Sequence, residues 1–206
     1  MDAETCLKKL GYVGVLAFAT TDEEGKPQVR NISAIHFEND GLYFFTARGK
    51  DFCRELLSKP DVQILGYTKY KEMIRLSGKA FSVPQDEQNK WIATIFNEQP
   101  YLANVYPGDT RSIGIIFCIR DFEIEYFNLG VNPIFRESYT VGKGITTKKG
   151  YFITDSCTGC GSCIDVCPQR CIEEGSPYRI QPEHCLHCGN CFENCPSSAV
   201  INLHGR

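Results

Sequence analysis

The feature that most limits what this chain can fold into is a repeated arrangement of cysteines toward its C-terminal end. Residues 157–168 read Cys157-Thr-Gly-Cys160-Gly-Ser-Cys163-Ile-Asp-Val-Cys167-Pro168, and residues 185–196 read Cys185-Leu-His-Cys188-Gly-Asn-Cys191-Phe-Glu-Asn-Cys195-Pro196. Each is a complete C-x2-C-x2-C-x3-C-P run, and the copies lie 28 residues apart, so the pattern is an internal repeat. Nine of the twelve cysteines fall in this stretch, and only Cys6, Cys53 and Cys118 lie elsewhere. Such tight spacing lets three thiolates of one loop hold three corners of an iron–sulfur cube, while the fourth cysteine of the run serves the other cube. On that rule Cys157, Cys160, Cys163 and Cys195 hold one [4Fe–4S] cluster, and Cys185, Cys188, Cys191 and Cys167 hold the other.

Structural zinc is the competing reading. Zinc takes four ligands per site, often as two separated C-x2-C pairs, and leaves the third cysteine and the following proline of both runs unexplained. Over residues 151–206 the chain resembles bacterial-type two-cluster ferredoxins, with every ligand position filled, and the resemblance implies a small α+β domain. Cys171 is then a surplus thiol, read as a small packing residue. His184 and His187 flank a ligand and read as surface or supporting residues. Gly159, Gly161 and Gly189 suit loops in which backbone passes close to a cluster.

Composition narrows the setting. A chain of 206 residues fits one large or two unequal domains. Residues 1–150 carry 19 basic and 19 acidic residues, so the formal charge of −3 lies wholly in residues 151–206. No basic excess points to nucleic acid, and no apolar run approaches the roughly 20 residues of a membrane span. The first eleven residues mix charged and apolar types, unlike a secretory signal. A cytoplasmic location is expected, which favours metal over a disulfide framework for the thiols.

The rest of the chain is strand-rich. Val13–Thr20, Val29–Phe37, Leu42–Thr46, Val62–Tyr67, Met73–Val83 and Ile113–Phe127 read as strands, and Asp22–Pro27 and Glu38–Gly41 as turns. Asp51–Lys59 and Gln85–Asn97 carry helical spacing. Together they predict a mainly β domain, an antiparallel barrel with helical additions, over residues 1–128. The Gly- and Lys-containing stretch 129–150 reads as a linker, with the ferredoxin-like domain at 151–206. There is no Gly-x-Gly-x-x-Gly run after a strand, and no Walker-type loop. His36 reads as a structural histidine.

Lys26-Pro-Gln-Val-Arg30-Asn31, then Leu42-Tyr-Phe-Phe-Thr46-Ala-Arg-Gly-Lys50 opening a helix, with Lys59-Pro60 and Ile74-Arg-Leu-Ser-Gly78, resembles the pyridoxamine 5′-phosphate oxidase-like family of FMN-binding split barrels over roughly residues 5–128. The resemblance implies a homodimer with FMN in each interface groove. Arg30, Lys50 and Thr46 would hold the phosphate, and the backbone around Asn31, Ile32 and Ala47 would run along the flavin. A guanidinium fork, an ammonium and free amides at a helix start suit a phosphate dianion. Arg48 and Arg75 are further candidates. Family oxidases also carry an Arg-rich C-terminal segment that binds substrate, and here the linker and ferredoxin-like domain occupy its place.

These features predict a flavin and iron–sulfur oxidoreductase that passes electrons between two clusters and FMN. Its partner would be a small-molecule or protein electron donor or acceptor, and no side chain stands out as a catalytic acid or base. The alternatives are a non-catalytic electron carrier or redox sensor serving a protein partner and, third, a pyridoxamine 5′-phosphate oxidase.

Overall fold

In the computed structural model, which describes residues 1–39, 41–146 and 148–203, the chain begins with a helix, α1 (Ala3–Val13), that its own sequence caps. The Asp2 carboxylate accepts from the Thr5 amide at 2.7 Å, and Gly14, at φ 74°, closes the other end by donating to the Leu10 carbonyl. Cys6, Leu7 and Leu10 form the buried stripe of a helix that the mixed N-terminal residues concealed. Leu10 packs so closely that a Cβ at position 66 would lie 2.4 Å from its Cδ2, so any larger residue there would have to displace the Leu10 side chain.

The strands that follow are β1 (Leu16–Thr21), β2 (Pro27–Ile32), β3 (Ile35–Glu38), β4 (Gly41–Ala47), β5 (Asp61–Tyr67), β6 (Glu72–Lys79), β7 (Phe81–Ser82), β8 (Gly114–Ile119), β9 (Phe122–Asn128) and β10 (Phe135–Val141). Helices α2 (Asp51–Ser58), α3 (Gln88–Glu98) and α4 (Leu102–Val105) interrupt them. One sheet runs β10-β9-β6-β5-β1-β2 and the other β3-β4-β8-β7. Three stretches predicted as single strands are each two. Residues 29–37 break at Ser33-Ala34, where the Ile35 amide turns back to the Ser33 carbonyl and the Ala34 carbonyl pairs with Phe45, so that β2 and β3 enter different sheets. Residues 73–83 break at Ala80, whose amide goes to Pro60, and residues 113–127 break at Arg120-Asp121. The predicted turn over residues 38–41 joins β3 to β4 through the pair Glu38↔Gly41, though Asp40 lies outside the described residues.

The stretch 129–150 is not a plain linker, because β10 occupies its middle. Phe135-Arg-Glu-Ser-Tyr-Thr-Val141 carries the strand, and the glycines on either side serve its turns. Gly130 donates to the Asn128 side chain at 2.8 Å, and Lys143 donates to Asp121 at 2.7 Å. Thr147, within this stretch, lies outside the described residues.

The chain divides into two units. The first comprises Met1–Lys69, Met73–Glu125 and Ser138–Ile145; the second takes Tyr70–Glu72, Tyr126–Glu137 and the residues from Thr146 onward. In the first, Phe18, Phe44, Phe52 and Phe117 form an aromatic core, with Phe44 5.0 Å from Phe18 and 5.8 Å from Phe117 between ring centres. Trp91 of α3 stacks on Tyr43 at 3.7 Å. Gln88 replaces a missing strand at β8: its side-chain oxygen accepts from the Ile116 amide and its nitrogen donates to the Val83 carbonyl, each at 2.8 Å. The outer face of the six-stranded sheet is bare around β1, β2 and β5, whereas the first five residues of β9 are buried. Ala17 and Ala19 of β1 lie between Asn31 and Val29 of β2 and Leu65 and Gln63 of β5, and Val29, Leu65 and Tyr67 are exposed.

The second unit contains β11 (Tyr151–Ile153), α5 (Ser162–Asp165), β12 (Ile172–Glu173), β13 (Arg179–Ile180), α6 (Asn190–Glu193) and β14 (Val200–Asn202). β11 pairs with β14, and β12 with β13. Ile153, Ile172, Ile180 and Val200 form its apolar core together with buried cysteines.

Candidate functional site

The repeat in the sequence becomes a repeat in the backbone. Gly161 and Gly189, with φ of 82° and 84°, cap α5 and α6 in the left-handed region and turn each loop into its short helix. Around these loops lie two cavities. One is lined by Cys157, Cys160, Cys163 and Cys195; the other by Cys185, Cys188, Cys191 and Cys167. Each takes three thiols from one run and the fourth from the other, the grouping that the spacing predicts. Among the described residues, neither cavity is lined by a carboxylate or a histidine.

The donor set fits an iron–sulfur cube. Amides and hydroxyls face several of the sulfurs: His187 N–H to Cys185 at 3.4 Å, Ala199 N–H to Cys195 at 3.3 Å, and the hydroxyls of Ser162 and Ser197 to Cys160 and Cys195 at 3.5 and 3.6 Å. Hydrogen bonds from Ser162 pull the Cys160 thiol below its ordinary value. Burial pushes Cys163 up, and Cys191 up to about 11. A buried thiol of this kind keeps its proton until a cation replaces it, so loading such a site with metal releases protons. Arg136 donates to the Cys185 carbonyl at 3.2 Å, and His184 bonds the Ile134 carbonyl at 2.8 Å, so residues 134–136 brace the second loop. Cys171 is buried, lines the second cavity, and its sulfur lies 3.6 Å from that of Cys167.

The residues expected around a flavin phosphate have a different character. Thr46 and Ala47 end β4 and are buried; Lys50 caps α2 three residues later and is exposed. The Lys50 ammonium makes no ion pair or hydrogen bond among the described residues. Arg30 reaches the same helix from β2, its guanidinium carbon 4.7 Å from the centre of the Phe52 ring. It is already engaged: it pairs with the Glu55 carboxylate at 2.7 Å and donates to the Thr20 hydroxyl, which donates to Glu55 at 2.5 Å. Glu55 keeps only 7% of its side-chain surface and Arg30 22%. Asn31 and Ile32 continue β2, with Asn31 on the bare sheet face. Arg48 donates to the Gly114 carbonyl at 2.8 Å, and Arg75 pairs with Glu125 at 3.4 Å.

The sequence reading passed over Glu55 and Thr20. The available signal was the position of Glu55 on α2, on the same face as the buried Phe52 and Leu56, where a carboxylate needs a partner. A more open groove lies beside α2 and is lined by Asp22, Glu23, Glu24, Asp51 and Glu55 with Lys26 and Arg54. Its net negative charge makes it unsuited to a phosphate. His36, bonded to Glu98 at 2.8 Å and Glu38 at 3.0 Å, ties α3 to β3 as a structural residue.

The first unit has the strand order of a split β-barrel, and the second carries two cysteine-lined cavities. The chain belongs to the pyridoxamine 5′-phosphate oxidase family, whose profile matches residues 4–115, and a 4Fe-4S dicluster domain profile matches residues 156–199. A pyridoxine/pyridoxamine 5′-phosphate oxidase of Rhodopseudomonas palustris (strain BisB5) is 29% identical over 87 residues, 42% of this chain and 41% of that protein. The chain thus spans about two fifths of the length of such relatives. A ferredoxin of Butyribacterium methylotrophicum is 60% identical over 30 residues, 15% of this chain and 54% of the ferredoxin. Among solved structures, a pyridoxamine 5′-phosphate oxidase-related, FMN binding protein of Nostoc punctiforme superposes with a TM-score of 0.51 at 19% identity, covering 67% of this chain and 92% of that one. That likeness establishes the split-barrel fold. No helix among the described residues is long and apolar enough to cross a membrane.

Proposed function

We propose that this protein is an FMN-dependent iron–sulfur oxidoreductase that moves electrons between two [4Fe–4S] clusters and a flavin, and from the flavin to or from a small molecule. The observation that carries this reading is the pair of cavities, each assembled from three thiols of one run and one of the other, on a chain whose first domain is of the pyridoxamine 5′-phosphate oxidase family. Clusters of this type carry single electrons and a flavin can collect two, so the pair converts between one- and two-electron chemistry.

The chain's own residues have definable parts in that scheme. The eight cysteines hold the clusters, and the amides of His187 and Ala199 with the hydroxyls of Ser162 and Ser197 stabilise charge on the sulfurs. Lys50, Thr46 and the first amides of α2 receive the flavin phosphate, with Arg30 supplying charge from its seat on Phe52. Asn31, Ile32 and Ala47 contribute backbone along the flavin. A second copy of the chain covers the bare sheet face around Val29 and Leu65, giving a homodimer. The thiols suit a reducing compartment, the cytoplasm.

Anoxically purified protein loaded with FMN should show flavin bleaching and cluster bleaching in one stepwise reduction, with many turnovers when small acceptors are added. Coupled bleaching with no turnover by any small acceptor would favour the carrier reading. Formation of pyridoxal 5′-phosphate from pyridoxamine 5′-phosphate in air would favour the oxidase.

A further inference from the structure

The two cysteine runs match position for position at an offset of 28 residues, so each residue beside one cluster site has a counterpart beside the other. Three of these pairs differ in the same respect. Thr158, Ser162 and Ser197, which flank ligands of the first site, carry hydroxyls, whereas their counterparts Leu186, Asn190 and Gln169, which flank ligands of the second, carry none. The hydroxyls face sulfur: that of Ser162 lies 3.5 Å from the Cys160 Sγ, that of Ser197 lies 3.6 Å from the Cys195 Sγ, and Thr158 also hydrogen-bonds Cys160. A sulfur that holds iron is a thiolate with no proton to give, so in a loaded site the hydroxyl is the donor.

The counterparts turn elsewhere. Asn190 donates to the Val166 carbonyl at 2.6 Å, and Gln169 accepts from the Ile134 amide at 3.0 Å. Among the described residues no serine or threonine lines the second cavity, which has only the weak S–H donor of Cys171 in their place. Each cavity has one tyrosine in its wall, Tyr178 in the first and Tyr151 in the second, so the tyrosines do not set the two apart. Access of water differs in the same direction as the hydroxyls. Thr158 and Gly159 are exposed where Leu186 and His187 are half-buried, and Cys157 is half-buried where Cys185 is buried. Arg136 opposes this difference from the second side. Its guanidinium, however, is engaged with the Cys185 carbonyl and the Phe127 ring, whereas the hydroxyls face the sulfurs themselves.

We propose that the hydroxyls of Thr158, Ser162 and Ser197 give the cluster held by Cys157, Cys160, Cys163 and Cys195 the higher reduction potential, so that it is reduced before the other. The inference rests on the cluster reading given under Proposed function. Reduction adds one electron, and with it one negative charge, to a cube; no bond breaks and no proton moves. The electron comes from a low-potential one-electron donor, dithionite in the test below. Donors aimed at the sulfurs, and water near the cube, stabilise the added charge. The two clusters then form an ordered pair, in which the first fills first and the second is the stronger reductant.

The test is a redox titration of the full chain, purified anoxically and reduced with dithionite, followed by the electron paramagnetic resonance of the reduced clusters. The wild type is expected to reduce its clusters in two separate one-electron steps. Thr158→Val/Ser162→Ala/Ser197→Ala should lower the equilibrium constant of the higher step about tenfold, or about 59 mV for one electron, and leave the lower step in place. Its iron content, about eight per chain, shows that both sites remain filled. A single unresolved step in the wild type overturns the proposal while leaving the cluster reading intact. So does a variant that shifts the lower step, both steps equally, or neither. A wild type without about eight irons overturns the cluster reading and this proposal together. Should the triple variant lose iron, Ser162→Ala alone decides: a fall confined to the higher step supports the proposal, and any other result overturns it.

Discussion

On the proposed function the cysteine unit and the corner where β4 meets α2 would each hold a charged group in place, and they are built by different physics. The cysteine loops are local devices. Spacing, left-handed glycines and short helices gather three sulfurs from seven consecutive residues, and one long-range partner completes each set. The corner is assembled from distant segments. Arg30 comes from β2, Thr20 from β1 and Glu55 from α2, and their mutual bonds leave Lys50 as the uncommitted cation. A local device can be read from a linear pattern, whereas a tertiary network surfaces only when the sheets are closed.

The largest expected effect comes from the local device. Cys188→Ala should remove iron from the second site while the first keeps its share, measured as iron per chain. Next, Arg30→Met tests the network. It strands a buried Glu55 carboxylate, so unfolding in denaturant should reveal a loss of about 3 kcal/mol, the low end for a broken buried pair because Arg30 keeps some exposure. Adding Glu55→Gln should recover part of that loss. Third, Lys50→Ala should weaken FMN binding about tenfold in fluorescence titration with little change in stability. An equal loss of stability would show that Lys50 is structural.

The two loops can also be set against each other. Gly161→Ala and Gly189→Ala both force an L-residue to positive φ, costing about 1–2 kcal/mol. Only at Gly189 would the new Cβ also meet the Tyr151 hydroxyl, at 2.7 Å, while Gly161 has open space. Cluster retention on heating should therefore fall further in Gly189→Ala.

The smallest effect concerns pH. Burial works against the His36 cation, but its bonds to Glu38 and Glu98 prevail and raise it above the ordinary 6.5. A raised value means that the folded state binds the proton more tightly than the unfolded state. The contribution is present in full below 6.5 and fades as pH rises through the raised value. The melting temperature should decline over that window, and His36→Gln should flatten the decline.

Much of this could be read before the fold was seen. The grouping of the eight cysteines around two cavities was legible from the spacing of the runs together with the rule that the fourth cysteine serves the other site. The strand content and α2 and α3 followed from turn residues and apolar periodicity. What escaped notice depended on closure of the barrel. The split of residues 29–37 between two sheets is set by Ser33-Ala34 hydrogen bonds that no propensity encodes. Strand β10 was hidden because the glycines of its turns look like those of a linker. The Arg30–Glu55 pair joins residues 25 apart in sequence.

On the proposed function one chain carries two complete cluster sites and a flavin site. Anoxically purified protein, reconstituted with iron, sulfide and FMN, is to be assayed for all three per chain. About eight irons, eight sulfides and one FMN are predicted. Four irons or fewer, or eight irons with no uptake of FMN, would contradict the account.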